Sequence, residues 1–301
     1  MLRFKPYYIE KPWGGRRLEE RFGRVLPAGP VGESWELVEL PDCESEVAEG
    51  PRSGDKLGEL WRSGALGGSA EGEFPFLLKW LDTHEQMSVQ VHPDEEFCRN
   101  TRLGQPKTEA WYVLHAEHKS KLLVGNYPGL DPTTLRQAAE RGSLKKWMYE
   151  ASPRPGDIYL IEAGTMHSVG SGFVLLEVQQ PSDTTYRIHD WGRVGDDGAA
   201  RELHLDEASA CIRYNRFDLP QPSRDALVGP CFKLDVLQMG TALPSDGLRV
   251  VVAEKSPTRL IFGDTEHELS AGDIVVLEPS EQVVTLALGS CVLLTEPPSG
   301  D

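Results

Sequence analysis

The chain has 301 residues, 30 of them Gly and 22 Pro, and a formal net charge of -16. That length can bury a large core as one large domain or two of ordinary size, and the acidic balance argues against nucleic-acid or anionic-membrane binding, which need a basic surface. The five cysteines are scattered without CxxC spacing, which argues against a disulfide framework and a cysteine zinc site. No apolar run approaches the roughly 20 residues of a membrane helix. The N-terminal "MLRFKPYYIEKPWGG" has no apolar core before a small-residue cleavage site, so the expected location is the cytoplasm.

In chain order, short Val/Leu/Ile-rich segments separated by turn residues predict a mainly β fold with few helices. "SGDKLGELWRSG" predicts a helix near residues 55–69. From Met87, "MSVQVHPDEE" predicts a strand with Ser88, Gln90 and His92 on one face and Val89 and Val91 on the other. A turn with solvated Glu95 and Glu96 should follow. "DPTTLRQAAERG" offers Asp131 as N-cap, Pro132 at the first helical position and Gly142 as stop. "SLKKWMYE" then predicts a second helix from Ser143, giving helical structure over residues 131–150. Glu177 in "FVLLEVQQ" is costly to bury unless paired, as in a pocket or against a neighbouring strand. "LDEASACIRYN" is a further helix, and the helices are expected to cover one end of the strands.

A weak repeat links "PGDIYLIEAGTMHSV", from Pro155, to "AGDIVVLEPSEQVVT", from Ala271. Aligning Gly156 with Gly272 places Glu162 on Glu278 and His167 on Val283, so one strand-turn-strand unit recurs with a histidine in the first copy only. Residues 1–215 are therefore expected to form the catalytic domain. Residues 216–301 are expected to form a degenerate, metal-free copy closing one end of it, His267 offering at best a single ligand.

The segment from Gly156 to His167 resembles the second motif of the cupin barrels, in which a glycine opens a strand and a histidine closes the turn as a metal ligand. Glu162 stands where that pattern usually has proline. Gln90, His92 and Glu109 fit the first motif, glutamine replacing its first histidine. The resemblance implies two cupin-like jelly-roll barrels with a helical insertion beside the catalytic one. Gln90, His92, Glu109 and His167 would offer two nitrogens and two oxygens with one negative charge, leaving a divalent ion net positive and able to polarise substrate oxygens. His84, His115, His118, His189, His204 and His267 lack such a setting and are read as structural.

The blocks "EKPWGG", "VGESWEL", "QVHPDEE", "KTEAWYVL", "AGTMHSVGSG" and "EVQQPSDTTYRIHDWGR" together resemble the type I phosphomannose isomerases, over most of residues 4–195. The resemblance implies one zinc ion per chain on the same four ligands and a sugar-phosphate substrate, mannose 6-phosphate interconverting with fructose 6-phosphate through an enediol. It places catalytic roles on Arg187, Lys107 and Glu177, and substrate contacts on Lys79, Ser88 and Arg187. Arg187 is expected to be indispensable, while Glu177, Lys107 and a water on the metal all stand as candidate bases. No Gly-rich phosphate loop precedes a helix, so side chains must hold the phosphate. Another cupin metalloenzyme, an oxygenase or a different sugar-phosphate isomerase, and a non-catalytic sugar-binding cupin are the alternative readings.

Overall fold

The computed structural model describes residues 1–194, 198–216, 219–255, 257–281 and 284–298. Alternating apolar strands assemble into stacked sheets. The first has six strands in the order Tyr7–Gly15, Val31–Leu37, Leu77–Thr83, Phe173–Gln179, Glu109–Ala116, Ile158–Ile161. The second has five, in the order Tyr186–His189, Val89–Val91, His167–Val169, Leu122–Asn126, Met148–Ala151. Trp111, Val113, Phe173 and Leu175 of the first sheet meet Leu122, Val124 and Val169 of the second in one core, so the two pack face to face as in a jelly roll.

The C-terminal strands form two further sheets. Ala226–Val228, Lys233–Gln238, Ser290–Thr295, Val250–Ala253 and Ile274–Val276 make a third, and Thr265–Leu269, Thr258–Phe262 and Val284–Leu288 a fourth. The expectation that this unit closes one end of the catalytic barrel is corrected. Leu78, Trp80, Leu176 and Val178 on the back of the first sheet share a core with Val250, Val252, Val292 and Leu294 of the third, sheet against sheet. Val251, Val275 and Leu293 pack the third sheet's other face onto Leu260 and Leu286 of the fourth. The strand Leu77–Thr83 is therefore buried on both faces.

The helices are also placed differently from expectation. Pro132–Glu140 and Leu205–Cys211 cover the outer face of the second sheet, through Leu135, Ala138 and Ala208 against Val89, Val91 and Ile188, rather than its end. Leu57–Arg62 forms within the first predicted helical stretch and packs into the core shared with the C-terminal unit. "SLKKWMYE" is not a second α-helix. Its start has no side-chain cap, it makes a single 3-10 turn at Leu144–Trp147, and Met148–Ala151 pairs with Leu122–Asn126 as an edge strand. Conversely, the turn after His92 is a helix, Glu95–Thr101, because the Asp94 carboxylate accepts from the Phe97 amide at 2.8 Å; Glu95 and Glu96 stay exposed. No helix among the described residues is long and apolar enough to cross a membrane.

The two repeated segments share a hydrogen-bond pattern. Gly156 N donates to Val113 O at 2.8 Å and Gly272 N to Ala253 O at 2.9 Å; both glycines have positive φ, 91° and 80°. Asp157 accepts from Arg154 N at 2.8 Å and Asp273 from Ser270 N at 2.9 Å. Val283, aligned with His167, lies outside the described residues.

Candidate active site

Register builds the site. Across the first sheet one row runs Trp35, Lys79, Glu177, Trp111, an aromatic pair flanking a lysine and a glutamate. Across the second sheet a row runs Arg187, Gln90, His167. The period of two along Val89–Val91 and its flanks puts Ser88, Gln90 and His92 on the face turned towards the first sheet, as expected. All the side chains singled out in the sequence gather here. Lys79, Ser88, Gln90, Lys107, Glu177 and Arg187 line one cavity of about 360 Å³, and His92, Glu109 and His167 form a buried cluster beside it.

Ligating atoms of His92, Glu109 and His167 lie within 4.8 Å of one another. His92 Nδ1 is 2.9 Å from Thr184 O and His167 Nδ1 2.9 Å from Thr165 O. A carbonyl only accepts, so both Nδ1 atoms carry the proton and both Nε2 lone pairs face inward, 3.3 and 3.5 Å from the two oxygens of Glu109. Both Glu109 oxygens are buried, and Oε2 is held by the Lys107 ammonium at 2.9 Å while Oε1 has no hydrogen-bond donor among the described residues. The Gln90 amide reaches His167 Nε2 at 3.2 Å, and a half-turn of its terminal torsion presents Oε1 to the same place. Two oriented imidazoles, a buried carboxylate and an amide fit a divalent ion of the zinc type.

The charges around the cluster are interlocked. Burial pushes the His92 imidazole down to about 3, and the Lys107 ammonium beside it acts the same way, so His92 is neutral. Burial alone would raise Glu109, but the charge of Lys107 outweighs it and holds the carboxyl well below its usual range. Lys107 Nζ is 2.9 Å from Glu109 Oε2 and 3.3 Å from His92 Nε2. Burial opposes the lysine's charge, and Glu109 and Glu177 more than restore it. Glu177 is shifted upwards, by burial first and then by the charge of Glu109; its Oε2 accepts from Trp111 Nε1 at 3.0 Å and its Oε1 is 3.4 Å from Lys79 Nζ.

Several lining residues were not foreseen. Glu33 pairs with Lys79 at 3.6 Å and Lys11 at 3.0 Å and accepts from Trp35 Nε1 at 2.7 Å. Burial would raise its carboxyl, but Lys79 and Lys11 bring it down to about 2. Lys79 Nζ also lies 5.0 Å from the Trp35 ring centre. The available signal was the alternation in "VGESWEL", which puts Glu33 and Trp35 on one face. At the mouth, Arg201 stands on the same wall as Arg187. Burial, then Arg201's like charge, lowers the basicity of Arg187, whose Nη1 donates to Glu202 O at 2.8 Å while its buried Nε has no partner. Asp190 orients Arg201 through contacts of 2.7 and 2.6 Å.

A family profile described as phosphomannose isomerase type I, catalytic domain, matches residues 1–124. The probable mannose-6-phosphate isomerase GmuF of Bacillus subtilis (strain 168) is 34% identical over 222 residues, 72% of this chain and 70% of that protein. The mannose-6-phosphate isomerase ManA of the same organism is 37% identical over 216 residues, 70% of this chain and 67% of the relative. A crystal structure of the mannose 6-phosphate isomerase from Bacillus subtilis superposes with a TM-score of 0.87 at 28% identity and covers 98% of both chains.

Proposed function

This chain belongs to the type I phosphomannose isomerase family, and from that premise we propose that it interconverts mannose 6-phosphate and fructose 6-phosphate as a zinc-dependent aldose-ketose isomerase. The observation that carries the reading is the buried His92–Glu109–His167 cluster, its nitrogen lone pairs converging on a buried carboxylate, beside a cavity lined by Lys79, Lys107, Glu177 and Arg187. Residues 1–215 carry the chemistry and residues 216–301 buttress it.

Held by Gln90, His92, Glu109 and His167, one zinc ion supplies a Lewis acid for the sugar's carbonyl and hydroxyl oxygens. In the open-chain aldose a proton leaves C2, the C1–C2 enediol forms, and the proton returns to C1 as O2 becomes the ketone oxygen and O1 the hydroxyl. Glu177, whose carboxyl burial raises towards the working pH, takes and returns the carbon-bound proton. Lys107, kept cationic by its two carboxylate neighbours, donates to the oxygen on which charge develops. Arg187 and Arg201, like charges on one wall, take the phosphate between them and so position the reacting carbons from a distance. Lys79, engaged by Glu33 and Glu177, holds the sugar end.

A coupled isomerase assay tests this. Turnover of mannose 6-phosphate should vanish on chelation, return with zinc, and far exceed turnover of unphosphorylated mannose. Oxygen consumption with iron and no isomerisation by the zinc form would overturn it in favour of another metalloenzyme. Arg187→Ala should remove turnover while leaving fold and metal content intact.

A further inference from the structure

Residues 162–166 form the turn between Ile158–Ile161 and His167–Val169, and its backbone touches every strand that supplies the cluster. Gly164 N donates to His92 O at 2.8 Å. Ala163 N donates to the hydroxyl of Thr108, the neighbour of Glu109, at 3.1 Å. Thr165 O accepts from the His167 ring. Whatever fixes this turn fixes the aim of all three side chains.

The turn is fixed from outside by ions. Glu162, which stands where the cupin pattern has proline, accepts from Arg216 through both carboxylate oxygens, one contact at 3.0 Å, and from Arg213 at 3.5 Å. Arg213 reaches on to Asp94 at 3.1 Å, two residues past His92, and its own amide donates to Gly164 O at 2.9 Å. Gly164 has φ of 82°, and a Cβ there would lie 2.7 Å from Arg213 Cγ, so the arginine stem is seated on the turn itself. A proline at Glu162 would supply local stiffness. Here the stiffness comes from the segment that leads out of the last helix over the second sheet.

We propose that Glu162, Arg213 and Arg216 form a positioning brace that aims His92 and His167 at the metal, a role resting on the zinc reading above. None of the three touches the cluster, so they are positioning residues. The ion pairs are half-exposed and individually weak, so the brace acts on orientation more than on overall stability.

The test is zinc affinity by competition with a chromogenic chelator, alongside thermal unfolding of the metal-free protein. Glu162→Gln and, separately, Arg216→Gln should each weaken zinc binding about tenfold while leaving metal-free unfolding unchanged. The exchanged pair, Glu162→Arg with Arg216→Glu, should recover most of that loss. Raising salt from about 0.05 M to about 0.5 M should weaken zinc binding by the wild type more than by Glu162→Gln, because only the former has the pair to screen. Wild-type zinc affinity in both single variants, or a loss confined to thermal stability, overturns the brace and leaves the zinc reading standing. Failure of the wild type to bind zinc overturns both.

Discussion

On the strand paired with the Gly-Asp strand the two copies differ at the position of Glu109, and the difference shows how a cation site can be closed. In the first copy Ile161 pairs with Glu109. In the second, Leu277 N donates to Arg249 O at 2.9 Å in the same register, so Arg249 occupies the place of Glu109. Arg249 is fully buried and donates to the carbonyls of Pro244 at 3.1 Å, Glu281 at 2.7 Å and Glu278 at 2.7 Å. One copy buries a carboxylate paired with Lys107 and faced by two imidazoles; the other buries a guanidinium that satisfies the turn from within. A buried carboxylate faced by two imidazole nitrogens favours an added cation, whereas a guanidinium at the same register position disfavours one. The turn bond persists, Thr165 N to Glu162 O and Glu281 N to Glu278 O both at 3.0 Å, so the exchange of Glu109 for Arg249 is made on a similar backbone.

The contrast breaks most visibly at Glu109. Glu109→Gln keeps the shape and removes the charge, and should abolish zinc binding and lower isomerase turnover by about a thousandfold or more; retained activity would mean the buried carboxylate is not the seat of the metal. Arg249→Met removes three charge-assisted contacts to turn carbonyls and should cost about 3 kcal/mol in urea unfolding, with zinc affinity unchanged.

Acid should separate the halves next. Glu33 titrates at about 2 in the folded protein against 4.5 ordinarily. Its contribution, about 3 kcal/mol, is therefore present above pH 4.5 and lost as pH falls towards 2. Urea midpoints at descending pH should fall more steeply for the wild type than for Glu33→Gln, and equal slopes would refute the assignment. The smallest effect belongs to the glycines. Gly156→Ala places a Cβ in open space and should cost about 1 kcal/mol for its positive φ, whereas Gly272→Ala should cost more because its Cβ would lie 2.3 Å from Phe22 Cγ.

Much of the site was legible because strand periodicity is local. Ser88, Gln90 and His92 announce a shared face over five residues, and Glu177 is conspicuous inside an apolar run. Glu33 and Trp35 carry the same alternation but gain meaning only through Lys79, more than forty positions later, whose register no local pattern reports. Glu162 reads as a departure from a motif until Arg213 and Arg216 are seen to hold it. Asp94 was a missed cap, a short polar residue followed by two acids at a helix start. The uniformly apolar "VVVA" and "CVLL" of the third sheet signalled burial on both faces, hence a sheet between two others, although the partner on each side is a tertiary matter.

The strand Leu77–Thr83 is a party wall one residue thick. Lys79 and Leu81 look into the cavity, while Trp80, between them, faces the C-terminal half and donates to Gly272 O at 3.3 Å. A change in the C-terminal half that shifts the Trp80 indole is thus transmitted through a single peptide unit to the Lys79 ammonium. The C-terminal half thus reaches the cavity wall without contributing a side chain to it.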